Sequence, residues 1–183
     1  MSKKKLRKRY LNLRKKKYYD ITKEFFLPLL KLLNPIYKKK KIKLGLYFPS
    51  NFEINVLKVL DYNYINKQNI FAPVIEQNNS MNFFSWKKND VLLVNKFGIL
   101  EPLKKSSPVI PEIILVPVLA FDNNKCRLGY GKGFYDRYLN KYLNKFKNII
   151  SIGVAFSFQK YHKLPTEKND VKLNYILTEK GIY

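Results

Sequence analysis

Two hydrophobic periods alternate along this chain. Residues 113–121 are apolar almost throughout and have the length of a buried strand. Further on, Tyr135, Tyr138, Leu139, Tyr142, Leu143 and Phe146 recur at i, i+3, i+4, i+7, i+8 and i+11, the period of a helix with one apolar face. The same signatures appear elsewhere. Residues 43–49 read as a first strand and 70–75 as a second; 149–156 and 175–179 read as two more. Between the first two, residues 50–53 open a predicted helix with Ile54, Leu57, Val59, Leu60 and Tyr64 apolar. Upstream, Asp20 or Thr22 is placed to cap a helix through Leu33, with Pro28 either in its first turn or marking a kink, and Asn34-Pro35 as its stop. Residues 91–94 and the turn at 98–102 precede a Ser-, Lys- and Pro-rich connector, 104–111, that reads as surface loop. There is no internal repeat. Strands alternating with helices predict an α/β class: a mostly parallel sheet with helices on both faces, Rossmann-like, three-layered, one domain over residues 1–183, with a basic helix at about 3–18. Ligands of such a sheet gather at the carboxyl ends of its strands.

The polar stretch between the long strand and the tyrosine-striped helix is the most informative. Three of the seven glycines stand there at alternate positions, Gly129, Gly131 and Gly133. A strand, a glycine turn and a helix start form half of a βαβ unit, and the free N–H groups of such a helix start favour an anion. The spacing is neither a Walker A loop, since Gly131-Lys132 is followed by Gly133, nor a dinucleotide fingerprint, since Phe134 stands where its third glycine would be. A glycine turn that only packs strand on helix has the same local pattern. Charge tilts the balance. Arg127 and Lys132 bracket the glycines, and Asp136 falls in the first helical turn away from the tyrosine stripe. Two cations and a carboxylate suit a phosphate with magnesium.

Composition narrows the class. The chain of 183 residues has 46% hydrophobic content, enough for a core. Its one cysteine, Cys126, excludes an internal disulfide and a Cys-rich zinc site, and fits a reducing, cytoplasmic location. One histidine, His162, excludes chemistry needing two and reads as a solvated or packing residue. No apolar run reaches the roughly 18 residues of a membrane span. The formal charge is +23, from 36 Lys+Arg against 13 Asp+Glu. That balance suggests nucleic acid. Abundant Lys, Asn, Ile, Tyr and Phe also follow from AT-rich codons, and the bias extends beyond the block of ten basic residues in 3–17.

The sequence Leu115-Val116-Pro117-Val118-Leu119-Ala120-Phe121-Asp122, followed by Arg127-Leu128-Gly129-Tyr130-Gly131-Lys132-Gly133-Phe134-Tyr135-Asp136-Arg137-Tyr138-Leu139, resembles the signature of the 5-formyltetrahydrofolate cyclo-ligase family. Weaker similarity runs from end to end. Phe134 replaces a more usual tyrosine and Val118 a frequent glycine; neither change removes a charge. The resemblance implies ATP contacts by Lys3, Arg7, Arg127, Gly129, Tyr130, Gly131, Lys132, Gly133 and Tyr135, with Arg127, Lys132 and Tyr135 nearest the chemistry. The family's first helix carries a Lys and an Arg four apart; Lys3/Arg7, Lys4/Lys8 and Lys5/Arg9 all have that spacing of basic residues. Folate contacts are implied for Glu53, Met81, Phe83, Trp86, Tyr130 and Tyr135. Read alone, Glu53 is a helix-dipole carboxylate, and Met81, Phe83 and Trp86 are core residues or aromatic and thioether walls for a flat pterin. Mg²⁺ is implied between Asp136 and Asp170.

The activity so implied is ATP- and Mg²⁺-dependent closure of 5-formyltetrahydrofolate to 5,10-methenyltetrahydrofolate, by a monomer with no specific nucleic-acid or membrane partner. The other reading is a non-enzymatic, basic nucleic-acid-binding protein whose aromatics stack on bases. The two separate by titration. A labelled oligonucleotide is expected to bind weakly, without sequence preference, and with affinity falling steeply between low and physiological salt. Tight, selective binding at physiological salt, without folate turnover, would favour the binding protein.

Overall fold

A computed structural model describes residues 1–37, 41–66 and 69–183. Its helices are α1 (Lys3–Lys17), α2 (Leu27–Tyr37), α3 (Asn63–Asn66) and α4 (Phe134–Leu143). Its strands are β1 (Lys43–Gly45), β2 (Asn69–Ile75), β3 (Met81–Ser85), β4 (Leu92–Val94), β5 (Leu100–Pro102), β6 (Ile113–Pro117), β7 (Ala120–Phe121), β8 (Arg127–Leu128), β9 (Ile150–Val154), β10 (Tyr175–Thr178) and β11 (Gly181–Ile182). Seven strands form one sheet in the order β11-β10-β9-β6-β1-β2-β3. The five inner strands are parallel, and the edge strands β3 and β11 are antiparallel. The expected mostly parallel α/β sheet is therefore present, with antiparallel edges the hydrophobic pattern did not reveal. No helix among the described residues is long and apolar enough to cross a membrane.

The alternating side chains of β6 explain the layers. Ile113 and Leu115 face a core with α2 (Leu29, Leu33), Val56, Val59 and Ile65. Ile114 and Val116 face the other side, against Tyr138 and Leu139 of α4. A strand buried on both faces reads as a continuous apolar run, as 113–117 does. The connection from β1 to β2 lies on the first face and that from β6 to β9 on the second. In sequence order the parallel strands run 2-1-3-4-5, so direction reverses between β1 and β6, and a crevice opens outside their carboxyl ends.

Local boundaries depart from the sequence expectations for identifiable reasons. Helix α2 continues past Asn34-Pro35 to Tyr37. Proline there removes one hydrogen bond from a last turn that ends anyway, while Leu33 is fully buried and holds the helix down. Pro28 does lie in the first turn, and Thr22 stands at the N-cap position, without a side-chain capping bond, of a 3₁₀ turn, Lys23–Phe26, that leads into it. Residues 50–66 are not one helix. Asn51 and Phe52 have positive φ, and Asn55 accepts from the Leu57 N–H to start a 3₁₀ helix, Val56–Asp61, before the short α3. The apolar run 113–121 breaks after Pro117, and β7 pairs with β8 in a separate hairpin. The Val118 carbonyl is taken by the Arg14 and Gln159 side chains.

Phe83 and Trp86, expected beside the pterin, lie in the core. Phe83 is fully buried against Tyr138, ring centroids 5.1 Å apart, and Trp86 packs edge-on behind Phe48 at 5.2 Å. Phe83, on the edge strand β3, packs into the core shared with α4, and Trp86, just past that strand, packs into the core on the other face of the sheet. Phe83→Ala is therefore expected to lower stability by about 3–5 kcal/mol while leaving the folded protein's KM for the folate that the resemblance implies nearly unchanged. Chemical denaturation and initial-rate kinetics measure the two quantities separately.

Candidate active site

The crevice between β1 and β6 widens into a cavity of ≈ 760 Å³, a size suited to small-molecule ligands. Its walls come from the turn after β1, the glycine loop after β8, the start of α1, the loop at 167–170 and the β4–β5 hairpin. The last contributes Phe97, whose ring meets Phe134 at 5.7 Å and lies 5.5 Å from the Lys132 ammonium.

Guanidinium groups crowd the glycine loop. A Cβ on Gly129 would fall 2.9 Å from Arg127 Nη1, one on Gly131 3.0 Å from Arg7 Cζ, and one on Gly133 2.8 Å from Arg137 Nη1. Gly131 and Gly133 also have φ of +99° and +68°, a conformation that side chains disfavour. The glycines thus turn the backbone and let three arginines approach it. Arg7 donates from Nε to the Gly129 carbonyl at 3.0 Å. Arg137, which the sequence reading passed over, ties Lys132 O at 2.8 Å to Asn79 O at 2.7 Å. Gly133 caps α4 with no side-chain acceptor, so the N–H groups of the first turn lack a side-chain partner, as an anion site requires.

Of the three basic i, i+4 pairs, Lys3 and Arg7 line the cavity, while Lys4, Lys5, Lys8 and Arg9 are exposed. Lys3 Nζ lies 2.6 Å from Asp170 and 3.1 Å from Glu167. Desolvation acts against its charge, but the two carboxylates outweigh it and raise its pKa above the ordinary lysine value. Arg127, its side chain only 4% exposed, pairs with Asp136 at 2.9 Å, and its Nε is buried without a partner. Lys132 is exposed at the mouth.

Asp136 Oδ1 also accepts from the Val171 N–H at 3.4 Å, so the two aspartates expected around magnesium share one corner of the cavity. No group of three or more His, Cys, Asp or Glu side chains among the described residues is placed to hold a metal. Two carboxylates are nonetheless the donor set Mg²⁺ takes when phosphates and waters complete its shell, and both already face cations that phosphates would attract. The residues fit that ion.

The opposite wall is less charged. Glu53, 6% exposed, accepts from the Tyr130 hydroxyl at 2.7 Å, the Ser50 N–H at 2.8 Å and the Ser50 hydroxyl at 3.4 Å. Burial raises its pKa, opposed by the Arg14 charge and these hydrogen bonds. Burial likewise pushes the Tyr47, Tyr130 and Tyr135 phenols up, so they remain neutral donors. The Tyr135 hydroxyl is buried without a partner at this wall. Met81 lines the cavity; Phe83 and Trp86 do not. Arg14 was missed in the sequence, hidden in a run of lysines and arginines. Its signal was its phase: at 100° per residue, Lys3, Arg7 and Arg14 fall within about 40° of one another.

Comparison with known proteins accords with this geometry. The model of the 5-formyltetrahydrofolate cyclo-ligase family matches residues 1–179. A 5-formyltetrahydrofolate cyclo-ligase of Haemophilus influenzae is 33% identical over 151 residues, 79% of this chain and 80% of that protein. A probable 5-formyltetrahydrofolate cyclo-ligase of Schizosaccharomyces pombe is 29% identical, covering 71% of each. The 5,10-methenyltetrahydrofolate synthetase of Aquifex aeolicus, solved by NMR, superposes with a TM-score of 0.74 at 31% identity, covering 100% of this chain and 92% of its own. That of Mycoplasma pneumoniae gives 0.72 at 25% identity, covering 97% and 98%. With its motif, its fold and nearly its whole length matched, this chain belongs to the 5-formyltetrahydrofolate cyclo-ligase family.

Proposed function

We propose that the chain, as one catalytic domain over residues 1–183, uses ATP to close 5-formyltetrahydrofolate to 5,10-methenyltetrahydrofolate, releasing ADP and phosphate. The observation that carries this reading is a single cavity with a cationic, glycine-lined half and a neutral half ending in a buried carboxylate. The first half suits a triphosphate, and the second a flat heteroaromatic ring with N–H groups on its edge.

The N5-formyl oxygen is amide-like and a poor leaving group. Its attack on the γ-phosphorus forms an O–P bond and breaks the bond to the β-phosphate, giving ADP. N10 then attacks the activated carbon, forming the new C–N bond; the C–O bond breaks, the oxygen leaves as phosphate, and the N10 proton passes to the departing phosphate. The protein's part is alignment and charge stabilisation. Lys3, Arg7, Arg127 and Lys132 offset phosphate charge, and the Gly129–Gly133 backbone with the first turn of α4 supplies N–H donors. Asp136 and Asp170 are the residues that would hold Mg²⁺, which when bound neutralises charge shared between phosphates. On the other side, Glu53 accepts N–H groups of the pterin, Met81 packs on its face, and the free hydroxyl of Tyr135 points a donor toward the reacting groups. A step sequence without a general base agrees with a site whose carboxylates, among the described residues, already engage cations or hydrogen-bond donors.

The direct test is turnover. Purified protein is expected to form the methenyl product and ADP in equal amounts, dependent on both ATP and Mg²⁺; folate-independent ATP hydrolysis, or no product, refutes the reading. Asp136→Asn is expected to lower kcat at limiting Mg²⁺ by about a hundredfold or more, reflecting several kcal/mol of lost charge stabilisation, with part of the loss recovered at high Mg²⁺. Unchanged activity at limiting Mg²⁺ would leave Asp136 as the ion-pair partner of Arg127 alone.

A further inference from the structure

Arg14 is the one cation of the basic helix that the fold takes fully inside. Its residue is 1% exposed, although Lys15, Lys16 and Lys17 share the last turn of α1 with it. Burying a guanidinium is costly unless its donors find acceptors. Here they reach three separate segments. Nε donates to the Asn51 carbonyl at 3.0 Å, in the turn after β1. Nη1 donates to the Val118 carbonyl at 3.3 Å, where the chain leaves β6. Nη2 donates to the Tyr130 hydroxyl oxygen in the glycine loop. Arg14 itself is not on the cavity wall.

The third bond determines the polarity of the next. A tyrosine hydroxyl has one proton. With an Arg14 N–H directed at its oxygen, that proton goes to Glu53 Oε1, 2.7 Å away. Ser50 occupies the other oxygen, Oε2, through its N–H at 2.8 Å. The carboxylate is thereby held in one plane by donors on both oxygens, with lone pairs left over for a ligand. Arg14 also supplies the cation nearest this buried acid; the other titratable groups facing it, Tyr47, Tyr130 and Tyr135, are neutral.

We propose that Arg14 is a positioning residue for the folate half of the site: it orients the Tyr130 hydroxyl toward Glu53 and so presents the Glu53 carboxylate to the N–H edge of the substrate's ring. The inference rests on the folate-side role of Glu53 proposed above. It assigns one stripe of α1 to two ligands. Lys3 and Arg7 serve the phosphate side, and Arg14, two turns further along the same face, serves the pterin side through Tyr130. A planar fork is needed to satisfy acceptors in three directions, and a lysine ammonium on a flexible stem does not replace it.

The test is a double-mutant cycle on the full-length chain: wild type, Arg14→Lys, Tyr130→Phe and the double variant. KM for 5-formyltetrahydrofolate, KM for ATP, kcat and melting temperature are measured for each. Arg14→Lys is expected to raise the folate KM about tenfold, with the ATP KM within about twofold of wild type. Tyr130→Phe is expected to do the same, and the double variant to be no worse than either single one, because both changes break one chain of hydrogen bonds. A folate KM unchanged by Arg14→Lys overturns the proposal. So does a fully additive double variant, or a parallel rise of both KM values with a fall in melting temperature, which marks a merely structural role. If Arg14→Lys does not fold, Arg14→Gln, which keeps one amide donor, replaces it. Tyr130→Phe leaves the Arg14 bonds to Asn51 and Val118 intact, and an unchanged folate KM in that variant alone also overturns the proposal. Absence of turnover in the wild type refutes the proposed function and this inference with it; turnover in the wild type with an additive cycle refutes the inference alone.

Discussion

The site exists because two parallel neighbours, β1 and β6, send their chains to opposite faces of the sheet. A helix crossing on one face cannot cover the carboxyl ends of strands whose connections leave on the other, so a crevice is left between them. Everything placed at those ends meets there: the Ser50–Glu53 turn from β1, and the glycine loop that follows β6 through the β7–β8 hairpin. Helix α1 has no strand to cover. It packs Leu6 and Tyr10 on Leu119, Leu128 and Leu164 at that end of the sheet, which brings its basic stripe over the opening.

Concentrating positive charge in a small volume is unfavourable unless anions or dipoles intervene. The protein meets this constraint with local pairs. Asp170 and Glu167 hold Lys3, Asp136 holds Arg127, and loop carbonyls take Arg7 and Arg137. These partners are weak competitors for a triphosphate, which offers more charge and more acceptor oxygens than any one carboxylate. On the proposed function, the same carboxylates would become available as hard oxygen donors once the cations turned to phosphate. The arrangement would then hold its proposed ligand-binding groups in a neutralised form within reach of the cavity.

The other half of the cavity works with neutral donors. Phenols whose pKa values are raised by burial keep their protons, and the buried Glu53 is surrounded by hydroxyls, a backbone N–H and the Arg14 guanidinium. This gives the cavity an electrostatic gradient along its length. The cationic end would favour a phosphate, and the buried Glu53 carboxylate an N–H-rich ring. Charge and hydrogen-bond polarity together would orient the two proposed substrates toward a shared middle.

Much of this was written locally. The apolar strand run read at 113–121, which the fold cuts at Pro117, the tyrosine stripe of α4 and the alternating glycines at 129, 131 and 133 depend on neighbours a few residues away, and each is visible in the chain. The charged residues beside the glycines, Arg127, Lys132 and Asp136, were legible for the same reason. What sequence left open was which face of α1 docks, because ten like charges in fifteen residues mask the stripe that packing selects. Met81, Phe83 and Trp86 were equally ambiguous: an aromatic suits a core as well as a pterin, and only the sheet's layering turned Met81 to the cavity and sent the other two inward. The pairs Lys3–Asp170 and Arg14–Tyr130 span 167 and 116 residues. No local period encodes such contacts; they follow from where a helix comes to rest on the finished sheet, and tertiary structure alone decided them.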